Sequence, residues 1–335
     1  MQYIRNAGTK AARAVKTIRA DHRFALTGTP IENRLSDLWS IFDFLMPLYL
    51  YKYQDFKSTI EQKVVEGDEE ASAYLGKLTA PFILRRKKKD VLQELPDKVE
   101  NVVYVAMQPE QRMLYDAQEQ ALRMQLQGLS DAEYLHQKIE YLAALTRLRQ
   151  LCCTPELFLE GYGGGSGKVD ACMELLKESS ESGHKTLVFS QFTSMLELLI
   201  QRAEEEGLSY LYLSGKNTSE QRMAMVNAFQ SGGYDVFFIS LKAGGTGLNL
   251  TEADRVIHFD PWWNFAAEDQ ATDRTHRIGQ KNTVFVTKLV CKDSIEERII
   301  DLQSRKRGLS DLVMGSDALS AGRIDRDELL ELLER

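Results

Sequence analysis

The feature that most constrains the fold lies in the second half of the chain. Five short apolar runs, at residues 186–189, 210–213, 236–241, 255–259 and 283–290, are interleaved with helical patterns at 194–206, 219–230 and 266–277. Strand-like runs separated by helix-length segments predict a parallel sheet, because parallel neighbours need a crossover and the crossover helices cover both faces. Ligands of such sheets bind beyond the carboxyl ends of the strands. The loops after these runs are therefore where chemistry is expected.

The first half has a different character. Residues 1–48 read as helix, strand, helix: an Ala, Lys and Arg-rich stretch at 7–20, the apolar run Phe24-Ala25-Leu26, and apolar residues at helical spacing over 33–45. Pro47 ends that last helix. Residues 49–160 are mostly helical in pattern, except for 99–105, which has strand composition. The segment GYGGGSG at 161–167 is the clearest break in the chain, and the tail is again helical over 294–306 and 326–333.

Several classes are excluded. A length of 335 residues and 43% hydrophobic content suit two or three globular units rather than a disordered chain. No apolar stretch approaches the ~18–20 residues that span a bilayer, so no membrane partner is expected, and the polar opening is not a signal peptide. The four cysteines contain no C-x-x-C pair and the five histidines show no ligand spacing, so no metal site is expected in this chain. Subtracting 49 acidic from 42 basic residues gives a net charge of −7. That argues against a purely electrostatic nucleic-acid coat while leaving room for a local basic groove.

Five constellations carry the functional signal. On a helix, Gln270, Asp273, Arg274 and Arg277 fall at i, i+3, i+4 and i+7, one polar stripe ending at Gly279. Two guanidinium forks on one stripe suit phosphate oxygens, although an isolated pair of this spacing is more often a solvated face. The loop at 240–250 has three glycines in four positions, Gly244, Gly245 and Gly247, beside Lys242 and Thr246. Its backbone N–H groups suit an anion; plain flexibility is the weaker reading. LTGTPIEN at 26–33 joins a strand to a helix through a glycine turn, with simple turn-and-cap chemistry an equal reading. Trp262 and Trp263 in FDPWWN at 259–264 are hard to bury together, so one is a candidate for contact with a nucleic-acid backbone or a partner. RRKKK at 85–89 is either a solvated charge run or a phosphate-contacting segment.

Absences matter equally. No G-x-x-x-x-G-K-[ST] loop occurs: the three Gly-Lys pairs, at 76, 167 and 215, lack both the leading glycine and the trailing hydroxyl. The G-x-G-x-x-G frame from Gly245 fails at Leu250, and the G-x-S-x-G frame at Ser166 fails at Lys168.

Taken in order, these segments resemble the SWI/SNF-type helicase-like ATPases of helicase superfamily two. LTGTP at 26–30 with Asn33 resembles their motif III, LVFSQF at 187–192 motif IV, AGGTGLNL at 243–250 motif V and DRTHRIGQ at 273–280 motif VI. FILRR at 82–86, Leu95-Pro96 with Lys98, and LSG at 213–215 with Thr218 and Arg222 fit as well. The resemblance implies an α/β fold: a RecA-like second lobe with a parallel sheet, helical protrusions, and a remnant of RecA-like lobe one. The corresponding expectation is 1–48 for the lobe-one remnant, 49–98 for the first protrusion and linker, 99–160 for the second protrusion, 161–293 for lobe two and 294–335 for brace helices. Gln2 to Asn6 resemble the residues at and after the end of the family's Asp-Glu box, so the chain is expected to be cut inside lobe one.

The resemblance also implies function. The parent protein is expected to be a DNA-dependent ATPase that moves along duplex DNA, with ATP and Mg2+ held largely by the missing amino-terminal lobe. Arg274 and Arg277 are the implied arginine fingers. Gly245, Thr246, Gly247, Gln270 and Asp273 are the implied nucleotide-cleft residues, and Thr27, Thr29, Gln191, Lys242 and Trp263 the implied DNA contacts. The segment 85–89 joins the protrusions and is expected to touch the second lobe; Lys168 and Arg222 are either surface or core-ordering residues. Lacking the phosphate loop, the chain alone is expected to be inactive, and a non-catalytic binding or regulatory module is the alternative. Its short joins suggest a prokaryotic, nucleoid-associated protein; a eukaryotic one would be nuclear.

Overall fold

The structure, a computed structural model, describes residues 4, 6–27, 35–65, 68–84, 86, 88–92, 94–127, 131–244, 248–263 and 265–314. The chain divides into two compact units, one built around the first 87 residues and the other around residues 88–302.

The first unit is helical. It contains α1 (Lys10–Lys16), α2 (Leu35–Leu45), α3 (Tyr53–Phe56), α4 (Gln62–Val65) and α5 (Glu69–Thr79), with a π-helical turn joining α3 to α4. Leu35, Leu38, Trp39 and Phe42 form one face of α2 and pack against Leu50, Phe56, Ile60, Val64 and Leu75. Thr9 caps α1 by accepting from the Ala12 N–H, and Asp68 caps α5. Lys16 reaches Asp43 of α2 at 2.7 Å. The apolar run Phe24-Ala25-Leu26 is not a strand: Phe24 is 82% and Leu26 85% exposed. A strand needs a hydrogen-bonded neighbour, and among the described residues this unit offers none.

The second unit contains α6 (Lys88–Val91), β1 (Lys98–Val105), α7 (Pro109–Gln127), α8 (Asp131–Cys153), α9 (Gly167–Glu181), β2 (Thr186–Ser190), α10 (Thr193–Glu205), β3 (Tyr210–Leu213), α11 (Ser219–Gln230), β4 (Val236–Ser240), α12 (Leu241–Gly244), β5 (Arg255–His258), α13 (Phe265–Thr272) and β6 (Val284–Cys291). The last described helix, α14 (Ile295–Met314), begins here with Ile295 and Ile299 buried. Six strands form one sheet in the order β1-β6-β5-β2-β4-β3, every pair parallel. Alternation along the strands divides the core. Val188, Phe238 and Ile257 face Cys172, Leu176, Leu196 and Leu199 on one side. Leu187, Phe189, Phe237 and Val256 face Val226, Phe229 and Leu250 on the other. This is the α/β arrangement expected from the alternating pattern.

Two features depart from the sequence reading. Residues 98–105 are the edge strand of this sheet, paired with β6 from Lys98↔Val284 to Val105↔Cys291. The glycine segment 161–167 lies within this unit rather than between the two, because its end is pinned: the Ser166 hydroxyl donates to the Cys153 carbonyl at 2.5 Å. A Cβ at Gly167 would sit on the Ala106 carbonyl oxygen, so only glycine allows this approach.

Candidate functional site

Motif VI does not continue as a helix through Arg277; α13 ends at Thr272. The Asp273 amide still reaches Asp269 four residues back at 2.8 Å, but the two after it fall back onto carbonyls three residues earlier, Arg274 N to Ala271 at 3.1 Å and Thr275 N to Thr272 at 3.0 Å. The Thr275 hydroxyl also takes the Thr272 carbonyl at 2.7 Å, competing with the helical ladder. Gly279, at φ +104°, completes the turn. The polar stripe of helical spacing is thus replaced by a tight loop, and the two arginines are placed by tertiary bonds.

Those bonds run to motif V. Arg274, buried at 4% exposure, donates Nε to the Gly244 carbonyl at 3.1 Å. Arg277, half-buried, donates Nη1 to the Leu248 carbonyl at 3.2 Å and Nε to the Asp273 carbonyl at 2.9 Å. Motifs V and VI are stitched together on either side of the glycine loop. Burial, and next the like charge of Arg277, pull the Arg274 guanidinium below the ordinary arginine value. An anion beside Arg274 relieves that like-charge repulsion.

The linker and the neighbouring loop support this arrangement. Lys88, in the basic run, pairs with Asp273 at 2.7 Å and donates to the His276 carbonyl at 3.0 Å. Lys88 thus holds the loop of motif VI. Arg222 donates to the Ser214, Asn217 and Ala243 carbonyls at 3.3–3.5 Å, a core-ordering position. Lys168 is core-ordering too, wholly buried against Glu296.

A second constellation gathers at the ends of β2 and β5. Arg149 of α8, 1% exposed, donates Nη1 to Gln191 Oε1 at 2.8 Å, and Nη2 to the Pro261 carbonyl at 2.9 Å and to Asp260 at 3.3 Å. Its guanidinium lies 4.9 Å from the Trp262 ring, 5.0 Å from Trp263 and 5.2 Å from Phe192. Asp260 also accepts from the Ser190 hydroxyl and the Gln191 N–H. Burial nonetheless pushes its carboxyl up to about 6, with Arg149 opposing the rise. Both Trp262 and Trp263 are half-buried, so the Trp pair is neither core nor free surface.

The candidate residues therefore fall into groups. Asp273, Arg274 and Arg277 come together beside motif V, and Gln270 lies half-buried on α13 just before them. Gln191 and Trp263 come together around Arg149. Lys242 is exposed on α12. Thr27 is exposed in the first unit. Thr29, Gly245, Thr246 and Gly247 lie outside the described residues. Sequence reasoning missed Arg149. Its signal is its position on the apolar stripe of α8, four residues after Leu145 and three before Cys152, both buried.

A six-stranded parallel sheet with the segments of motifs IV and V following the carboxyl ends of β2 and β4 is the arrangement expected of a RecA-like helicase lobe. A family model described as SNF2-related domain matches residues 1–157, and one described as helicase conserved C-terminal domain matches 167–279. The chain is 38% identical to the Sulfolobus solfataricus SWI2/SNF2 ATPase core solved in complex with dsDNA, with a TM-score of 0.55, covering 95% of this chain and 68% of that one. It is 30% identical to the solved Sulfolobus solfataricus SWI2/SNF2 ATPase C-terminal domain, with a TM-score of 0.57, covering 71% of this chain and 99% of that one. A Mycoplasma pneumoniae protein named an uncharacterized ATP-dependent helicase is 37% identical over 336 residues, 99% of this chain and 32% of that relative. The chain belongs to the SWI2/SNF2 family of helicase-like ATPases. It spans about a third of the length of the curated relatives it matches.

Proposed function

We propose that this chain supplies the second RecA-like lobe, with its helical segments, to a DNA-dependent ATPase that moves along duplex DNA. The observation that carries the reading is the Arg274–Arg277 pair, fastened to the Gly244 and Leu248 carbonyls on either side of the motif V glycines. In this reading the two guanidiniums face the γ-phosphate of an ATP bound by the amino-terminal lobe of the same protein. They stabilise charge on the transferring group, a contribution of roughly 10³–10⁵ in rate for arginine fingers of nucleotide hydrolases. Gln191, Lys242 and Trp263 contact the DNA backbone, which fits a motor indifferent to sequence.

ATP finds phosphate-binding donors in this chain, the arginine pair above all. Among the described residues the one group of three ligand-type side chains is Cys152, Cys291 and Glu296, all buried, with Glu296 committed to Lys168. With no phosphate loop in its sequence, the 335-residue chain alone is expected to hydrolyse no ATP.

The test is ATP turnover of the full-length protein with and without duplex DNA. Stimulation by duplex of any sequence is the expected result; turnover indifferent to DNA overturns the reading. A purified 335-residue chain that turns over ATP overturns the assignment of the missing chemistry to the other lobe.

A further inference from the structure

Arg149 belongs to none of the helicase motifs, yet it is the hub on which two proposed DNA contacts converge. A guanidinium removed from water this completely is costly unless its donors and charge are answered. Here Asp260 answers the charge and Gln191, Pro261 and Asp260 take the two terminal nitrogens, while the buried Nε is left without a hydrogen-bond partner. The bond to Gln191 has a chemical consequence. Arginine has donors only, so the amide oxygen of Gln191 must turn inward to meet it at 2.8 Å. What Gln191 then has left to offer is its NH2 group, and donors are what phosphate oxygens require. The same guanidinium lies 5.0 Å from the Trp263 ring, restricting the tilt of that indole. Asp260 fixes the backbone beside both, accepting from the Gln191 N–H at 3.2 Å while anchoring Arg149.

We propose that Arg149 of α8 is a positioning residue that orients Gln191 and Trp263 for duplex DNA, so that α8 and the loops after β2 and β5 grip the backbone as one piece. The proposal rests on the reading of Gln191 and Trp263 as DNA contacts. Arg149 does not touch DNA itself. Lysine at this place keeps a cation for Asp260 but, as a point charge, loses the planar fork that spans Gln191 and Pro261 together.

The experiment is a double-mutant cycle in the full-length protein, read as affinity for a duplex oligonucleotide at fixed salt. Arg149→Lys is expected to weaken binding by about tenfold, within the coupling range of residues that share a network. Gln191→Ala weakens it comparably, and the double variant is no more than about twofold weaker than either single one, because both remove the same oriented amide. A merely structural arginine gives losses that multiply. Gln191→Ala crossed with Trp263→Ala provides a second cycle that leaves Arg149 and its partner Asp260 intact; losses smaller than multiplicative are expected there too. Multiplicative losses, or wild-type affinity in Arg149→Lys, overturn the proposal while leaving the parent reading in place. A wild-type protein that binds no duplex overturns the reading of Gln191 and Trp263, and this proposal with it.

Discussion

The Lys168 ammonium and the Glu296 carboxylate meet at 2.8 Å with neither side chain exposed. They join the first turn of α9 to the first turn of α14. Burial alone lowers the lysine's proton affinity, and the facing Glu296 charge more than reverses it, so Lys168 stays charged. Its ammonium also lies over the Phe259 ring at 4.9 Å, and Glu296 accepts the Cys291 N–H at 2.9 Å.

Breaking this pair from one side leaves an uncompensated buried charge. Lys168→Met is expected to cost roughly 3–5 kcal/mol in denaturant unfolding. Adding Glu296→Gln removes the stranded charge and keeps an acceptor for Cys291, so the double variant recovers most of that loss. A double variant no more stable than Lys168→Met refutes this account.

His258 predicts an acid-sensitive fold. Burial pushes its imidazole down to about 4, while Nε2 bonds the Thr272 hydroxyl at 2.9 Å. An unfolded histidine titrates near ~6.5, so between pH ~6.5 and 4 the unfolded chain binds the extra proton. The stabilisation is complete above pH ~6.5 and is lost as pH falls toward 4. Asp260, pushed up to about 6 by burial, acts in the opposite sense between pH ~4 and 6. The histidine is therefore read by difference: from pH 7 to 5, wild type loses about 2 kcal/mol more than His258→Asn. Parallel stability curves for the two proteins exclude a buried neutral His258.

Lys242 is an exposed cation on α12, with little packing to lose. Lys242→Ala is expected to leave the melting curve unchanged. If Lys242 meets a phosphate, the substitution weakens duplex binding by similar factors on unrelated sequences and reduces the slope of log K against log salt by about 1. An unchanged slope places that lysine away from the backbone.

Arg277 separates catalysis from architecture. Its side chain is half-buried and bonded to two carbonyls, so Arg277→Ala should change unfolding only modestly. If the guanidinium answers a transferring phosphate, ATP turnover of the full-length protein falls by roughly 10³-fold or more while duplex affinity holds. A drop below tenfold identifies Arg277 as a loop tie rather than a finger.

The sequence alone determined the parallel sheet and the placement of its motifs, because strand alternation and helix crossovers are local patterns with one packing solution. It located strands β2 to β6 within a residue or two and showed motifs IV to VI in order. It did not show that residues 98–105 complete the sheet, since pairing with β6 is a contact across more than 180 residues. Phe24-Ala25-Leu26 has the composition of a strand but, among the described residues of its unit, no strand to pair with. Only tertiary structure ended α13 at Thr272, because carbonyls of motif V reward Arg274 and Arg277 for leaving the helix. Tertiary structure alone also gathered Gln191, Asp260 and the Trp pair around Arg149. A buried guanidinium is tolerable only where several distant groups answer it at once, and no local pattern records that convergence.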